Sequence, residues 1–264
     1  MKTVTSKDGT TIACDRWGEG LAVILVDGAL QYRAFDQGMV SLAELLASHF
    51  TVIHYDRRGR GDSSDTLPYA LEREIEDIEA LIDDTGGPAS LYGISSGAAL
   101  AMEAAIALPD KVKKLAMYEA PYNDDPTAQQ VWRKYVRELR QLLDEDRKSD
   151  AVGLFMMLVG ASAEQVEEIR QTPMWPLWES IAPTLAYDHI AALGEDASVP
   201  TERAAKVVVP TLVMDGSDSF PFMHTTAVVL ANAMPKGRHY TLQGQTHEVA
   251  AEALAPVLVE FFSS

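Results

Sequence analysis

The sequence has a single cysteine, Cys14, so no disulfide can form within the chain. It also lacks long apolar runs, because stretches such as Leu21–Val26 and Ala151–Val159 fall far short of the roughly 20 residues that span a bilayer. The first 20 residues contain no apolar core followed by a cleavage site. We therefore predict a cytoplasmic location and no membrane partner.

Positive charge is also scarce. The chain has 22 Lys and Arg residues against 39 Asp and Glu residues, which gives a formal net charge of -17. Such a surface repels phosphate backbones, so no nucleic-acid partner is expected. The other proportions, 47% hydrophobic and 23% charged over 264 residues, are those of a globular protein. They exclude disordered, collagen-like and coiled-coil classes.

Short apolar runs alternate with longer stretches whose apolar residues recur at helical spacing. The runs are Leu21–Val26, Thr51–Tyr55, Ser90–Tyr92, Val112–Tyr118 and Thr211–Met214. Continuous hydrophobic strands are typical of a mainly parallel sheet with helices on both faces, so an α/β fold is predicted. Thr11–Trp17 alternates instead and follows the turn signal Asp8-Gly9, which predicts an antiparallel hairpin at the sheet edge.

The alternation of strands and helices stops between Tyr122 and about Val199. Only helix-like segments occur there, at about 127–146, 150–159, 163–171 and 177–193. The simplest interpretation is a helical insertion folded over the sheet. We therefore predict a core domain formed by residues 1–121 and 200–264, and a helical cap formed by residues 122–199.

The segment Gly93-Ile94-Ser95-Ser96-Gly97 has the pattern G-x-S-x-G between a predicted strand and a predicted helix. A sharp turn at this point presents Ser95 outward, and the flanking glycines avoid steric collisions. The helix N-terminus and the Ser96 N–H then point to the place where an oxyanion would form. An ordinary Gly/Ser turn is the alternative interpretation of the motif alone.

The chain resembles the α/β-hydrolase-fold family at four further places, which are residues 23–28, 55–63, 108–112 and 244–247. The resemblance covers about residues 1–121 and 200–264, and it implies a mainly parallel central sheet with an inserted helical cap. It also implies the order Ser…acid…His along the chain, which gives Ser95 as the nucleophile and His247 as the general base. Residues 56–63 are interpreted as a structural turn without a catalytic part.

The acid departs from the usual family pattern. Three residues after Gly216, where the family usually has its acid, this sequence has Ser219; Asp218 comes one residue early. Glu119 is the other candidate because it ends the apolar strand 112–118, although a glutamate there could also point to solvent. The pattern Glu-x-Pro at residues 119–121, together with Asp27-Gly28 and the pattern Gly-x-Ser-Ser-Gly-Ala at residues 93–98, resembles the zearalenone-lactonase branch of the family. By that resemblance Glu119 is the triad acid, with Asp218 as the alternative.

The oxyanion hole is expected to combine the Ser96 N–H with the N–H of Gly28 or Ala29. Asp27 either braces this loop or is only a polar turn residue. Apolar and aromatic residues in the cap indicate a hydrophobic substrate pocket. The predicted substrate contacts are Gln31, Tyr32, Trp175, Trp178 and His189, with Phe35 as a further wall residue.

We therefore expect a serine hydrolase that cleaves a carboxylic ester or lactone of a small hydrophobic substrate and uses neither a metal ion nor a cofactor. The fold also serves carbon–carbon bond hydrolases, and a ligand-binding protein with slow or no turnover is the alternative from another class. No His/Asp ligand cluster for a metal is evident in the sequence. A homodimer, paired through the cap, is left open.

Overall fold

A single eight-stranded sheet organises the chain in the computed structural model, which describes residues 1–264. The strands are β1 Lys2–Thr5, β2 Thr11–Trp17, β3 Ala22–Val26, β4 Thr51–Tyr55, β5 Ala89–Ile94, β6 Val112–Tyr118, β7 Thr211–Gly216 and β8 Gly237–Leu242. Their spatial order is β1-β2-β4-β3-β5-β6-β7-β8. Strand β2 is antiparallel to β1 and β4, and all other neighbours are parallel. The predicted mainly parallel sheet with an antiparallel edge hairpin is confirmed.

Helices cover both faces of this sheet. They are α1 Gln37–Leu46, α2 Leu71–Thr85, α3 Ser96–Ala107, α4 Pro126–Asp144, α5 Lys148–Leu158, α6 Ala163–Arg170, α7 Trp175–Ile181, α8 Thr201–Ala204, α9 Pro221–Ala233 and α10 Ala251–Ser263. Helices α1 and α10 pack on one face, whereas α2, α3 and α9 pack on the other. Because successive side chains of a strand point to opposite faces, Ile24 joins one core and Leu25 the other. No helix has the length and apolar content needed to cross a bilayer.

The chain between β6 and β7 contains only helical segments, and we call residues 122–199 the helical insertion. The helix-like segment predicted at 177–193 is not one continuous helix. It divides into α7, a 3-10 turn at Ala182–Thr184 and a π-helix at Tyr187–Ala192. Pro183 is one physical reason, because it has no backbone N–H with which to continue the α-helical hydrogen bonds. The π-helix packs against α3, directly behind the predicted nucleophile.

Candidate active site

Ser95 occupies a strained turn between β5 and α3. Its backbone has φ 55° and ψ -130°, in a region that non-glycine residues rarely adopt. Two glycines are needed for this turn: a Cβ on Gly93 would lie 2.4 Å from the Gly97 carbonyl oxygen, and one on Gly97 would lie 2.3 Å from that of Val26. Backbone strain of this kind is concentrated at functional sites. The side chain of Ser95 is half-buried at the carboxyl edge of the sheet.

Glu119 lies beside Ser95 at the end of the neighbouring strand β6, where the Ser95 N–H donates to the Tyr118 carbonyl. It also has a positive φ, 48°, and its side chain is almost fully buried. Its carboxylate accepts three hydrogen bonds: from the Gly216 N–H at 2.8 Å, the Ser219 hydroxyl at 2.9 Å and His247 Nδ1 at 2.7 Å. An ionised carboxylate can only accept, so this contact puts a proton on Nδ1 and leaves Nε2 of a neutral His247 as an acceptor.

The alternative acid, Asp218, lies in a different environment. Its side chain is exposed and accepts a hydrogen bond from Ser217 Oγ, while its backbone N–H donates to the Gln245 carbonyl. It makes no hydrogen bond with His247. The structure therefore brings Glu119 and His247 together and leaves the Asp218 carboxylate outside this contact, while Ser219 donates its hydroxyl to Glu119.

The loop that carries His247 is fixed on β6 and β7. Tyr118 Oη donates to the Thr246 carbonyl at 2.5 Å. Gly216 permits the close approach of this loop, since a Cβ there would lie 2.2 Å from the Gln245 carbonyl oxygen. The structure contains no hydrogen bond between Ser95 Oγ and His247 Nε2.

The loop after β3 carries the two predicted oxyanion donors, the N–H groups of Gly28 and Ala29, and only one of them is free. The Gly28 N–H donates to Gln31 Oε1 at 2.9 Å, and Gln31 Nε2 donates to Asp36 at 2.8 Å. The Ala29 N–H has no acceptor within the protein, and the Ser96 N–H, in the first turn of α3, has no helical acceptor. Of the two predicted alternatives, Ala29 thus has the free donor. Gln31, predicted as a substrate contact, uses both ends of its amide to shape the loop.

Asp27 forms a fully buried pair with His54, whose Nε2 lies 2.8 Å from Asp27 Oδ2. Burial by itself lowers the pKa of His54, but the Asp27 carboxylate more than offsets this, so that the pKa is raised above 6.5. Of the two interpretations of Asp27, the structure therefore supports the brace. The pair links the end of β3 to β4, below the loop that follows β3.

A row of aromatic side chains extends from the loop after β3 to the helical insertion. Tyr32 stacks on Phe35 at a centroid distance of 5.4 Å, and Phe35 meets the edge of Trp178 at 5.7 Å. Trp175 is instead buried within the insertion, where its indole N–H donates to Ser149. Tyr32 and Trp178 are thus half-buried where insertion and core meet, whereas the Trp175 side chain has a packing position.

His189 lies in an aromatic box inside the insertion. Its Nδ1 is 2.6 Å from the Tyr135 hydroxyl, and the rings of Trp132 and Phe155 are also in contact. Burial lowers the pKa of His189 to about 4, because neighbouring Asp188 only partly offsets the cost of desolvation. The imidazole is therefore neutral at physiological pH.

A second histidine–carboxylate cluster lies at the end of β7. Asp215 is buried and contacts His239 Nε2 at 2.5 Å and His224 Nδ1 at 2.9 Å, and Thr241 also donates to it. No such cluster is evident in the sequence, because its members lie on β7, α9 and β8 and come together only in the folded chain. Asp215 makes no hydrogen bond with His247.

Comparisons with known proteins agree with this architecture. A model of the alpha/beta hydrolase family matches residues 23–233. An alpha/beta hydrolase from Sphaerobacter thermophilus is 50% identical, with a TM-score of 0.88 over 99% of this chain and 100% of that one. The enol-lactonase from Burkholderia xenovorans has the same fold at 20% identity, with a TM-score of 0.75 over 100% of both chains. A zearalenone hydrolase from Cladophialophora bantiana is 22% identical over 75% of this chain and 86% of that protein.

The environment of His189 predicts a pH dependence of stability. Between about pH 4 and about pH 6.5, His189 is protonated in the unfolded chain but neutral in the folded chain. The contribution of His189 therefore lowers the free energy of unfolding as the pH falls through this range. His189→Gln should remove that part of the slope in denaturant titrations. NMR titration should show the His189 ring neutral at pH 5.5, and a midpoint near 6.5 would contradict the prediction.

Proposed function

The chain belongs to the alpha/beta hydrolase family, and we propose that within this family it is a cofactor-independent serine hydrolase that cleaves carboxylic esters or lactones of hydrophobic substrates. The observation that carries the proposal is the hydrogen bond between the buried Glu119 carboxylate and His247, beside the strained turn that presents Ser95. Nucleophile, base and orienting acid are the three parts that a catalytic triad requires.

In this mechanism Ser95 Oγ attacks the substrate carbonyl carbon and transfers its proton to His247 Nε2. Glu119 holds the imidazole by Nδ1 and stabilises the imidazolium that forms. The Ser95–His247 contact tightens when substrate binds, as catalytic hydrogen bonds are often long in unliganded enzymes. The imidazolium then protonates the leaving alkoxide. Water, activated by the same histidine, releases the acid from the acyl-enzyme.

The negative charge on the carbonyl oxygen needs two donors in this scheme. The N–H groups of Ser96 and Ala29 supply them, and the N-terminus of α3 adds its positive dipole. A side chain at position 28 would crowd this site, because a Cβ on Gly28 would lie 3.1 Å from Ser95 Cβ. The close approach of the oxyanion loop to Ser95 supports this assignment.

The substrate preference follows from the half-buried aromatic side chains near the loop. Tyr32, Phe35 and Trp178 offer apolar faces to an acyl or alcohol group. The helical insertion acts as the cap over this region. The similarity to a zearalenone hydrolase and to an enol-lactonase favours including lactones with linear esters.

The proposal is tested with a panel of p-nitrophenyl esters of increasing acyl length and of aliphatic and aromatic macrolactones. We expect a burst of p-nitrophenol equal to the enzyme concentration for the best ester, and no burst with Ser95→Ala. Mass spectrometry should detect the acyl group on Ser95 in the wild type. Binding of these compounds without turnover would instead indicate a ligand-binding protein, and activity that survives Ser95→Ala would contradict the proposed nucleophile.

Glu119→Gln should lower kcat by about 10³-fold to 10⁴-fold, because an amide in place of the carboxylate favours the wrong imidazole tautomer. Asp218→Asn is the matched control, as it makes the same chemical change on an exposed side chain and should leave kcat nearly unchanged. Steady-state kinetics with the best ester would check both. A large loss in Asp218→Asn together with an active Glu119→Gln would move the acid to the β7 loop.

A further inference from the structure

Asp188 is the most deeply buried carboxylate of the helical insertion, with no exposed side-chain surface. It reaches out of the π-helix and contacts two arginines of the turn after β4: Oδ1 accepts from Arg57 and Oδ2 accepts from Arg60, both at 2.5 Å. Burial alone raises the pKa of Asp188, but the two guanidinium groups outweigh it and lower this pKa to about 2. The insertion thus places an ionised carboxylate below the core's active-site loops.

Arg60 connects Asp188 to the oxyanion loop. Its other terminal nitrogen, Nη1, donates to the Gly28 carbonyl at 2.6 Å. This carbonyl and the Ala29 N–H belong to one planar trans peptide, so they point in opposite directions. Fixing the carbonyl on Arg60 therefore aims the Ala29 N–H away from Arg60, and the positive charge polarises that N–H as a donor.

Ser96 connects Asp188 to the second donor. The Ser96 hydroxyl donates to Asp188 Oδ1 at 2.8 Å, and the side chain of Ser96 is buried. The backbone N–H of the same residue is the oxyanion donor at the start of α3. One carboxylate of the insertion is thus linked to both donors, through Arg60 on one side and Ser96 on the other.

We propose that Asp188 is a positioning residue for the oxyanion hole, so that docking of the helical insertion on the core sets the alignment of the Ala29 and Ser96 N–H groups. This inference rests on the proposed serine-hydrolase function. It assigns a catalytic consequence to Arg60, in a segment that the sequence analysis interpreted as purely structural. Arg57 completes the arrangement, as it donates to Asp188 and to the Asp27 carbonyl at 3.2 Å.

The network offers a matched control in Glu74. Glu74 is also a buried carboxylate on Arg57, with hydrogen bonds of 2.7 and 2.8 Å, but it contacts neither Arg60 nor Ser96. Glu74→Gln and Asp188→Asn therefore remove the same charge from the same arginine, and only the second variant touches the links to the oxyanion donors. Both should lower the thermal midpoint.

The experiment measures kcat, KM and the affinity for a trifluoromethyl ketone, whose serine hemiketal carries an oxyanion. For Asp188→Asn we expect kcat to fall by about 10-fold to 100-fold, somewhat less than the loss of a whole donor, with KM unchanged. Ketone affinity should fall by a similar factor. Glu74→Gln should retain wild-type kcat for its folded fraction. Ser96→Ala should give a smaller fall in kcat with the same unchanged KM.

Equal kcat losses in Asp188→Asn and Glu74→Gln, or wild-type kcat in Asp188→Asn, would overturn the proposal and leave Asp188 a purely structural residue. If Asp188→Asn does not fold, Ser96→Ala serves as the test, since it removes one hydroxyl and no charge. Unchanged kcat and ketone affinity in Ser96→Ala would refute the link between Asp188 and the oxyanion donors. A wild-type enzyme without turnover or acylation of Ser95 would instead refute the hydrolase function and this inference with it.

The cluster at the end of β7 carries an independent inference. Asp215, His224 and His239 place one carboxylate oxygen and two imidazole nitrogens within 4.8 Å of one another. No lysine or arginine forms an ion pair with Asp215, so no fixed cation competes for this buried carboxylate. His224 is exposed and gives access from solvent. Two imidazoles and one carboxylate are ligands that suit zinc-like divalent ions better than calcium or magnesium.

We infer that Asp215, His224 and His239 form a binding site for a divalent transition metal ion, apart from the His247–Glu119 pair. Zn²⁺ titration by calorimetry at pH 7.5 should show one site, and His224→Ala or His239→Ala should weaken it by at least about tenfold. His49→Ala and His247→Ala should leave it unchanged. No binding by the wild type, or binding lost only in His247→Ala, would overturn the assignment.

Discussion

A buried carboxylate at the end of β6 is the constraint on which the site depends. Glu119 has no lysine or arginine partner, so its charge is stabilised by the donors Gly216, Ser219 and His247. These donors come from two loops that must close on the strand at the same time. Leaving such a charge unsatisfied is costly, and satisfying it fixes the β7 loop, the histidine loop and the imidazole tautomer together.

Two different carboxylates make contacts at the end of β7. With Glu119 on β6, the place where the family usually has its acid holds Ser219, which turns its hydroxyl to the carboxylate. Asp215, earlier on β7, contacts His224 and His239. The end of β7 and the loop after it thus contribute to two polar clusters, one around Glu119 and one around Asp215.

The core and the helical insertion meet through charge as well as through aromatic packing. Buried ion pairs contribute little net stability, but they impose strict geometry because an unpaired partner is costly. Asp188 is such a partner, because it joins the π-helix to Arg60 and to Ser96, between the loop after β3 and the start of α3. Tyr32, Phe35 and Trp178 supply the apolar part of the same junction.

The sequence by itself determined the sheet, its edge hairpin and the strained serine turn, because hydrophobic periodicity and glycine spacing are local signals. It also named Glu119, but only by resemblance to a branch of the family. Tertiary structure decided which carboxylate contacts His247 and that the Gly28 N–H donates to Gln31. It also decided which side chains contact Asp188 and Asp215. Those contacts join residues up to 131 positions apart, and no local pattern records which distant side chains a fold brings within hydrogen-bonding distance.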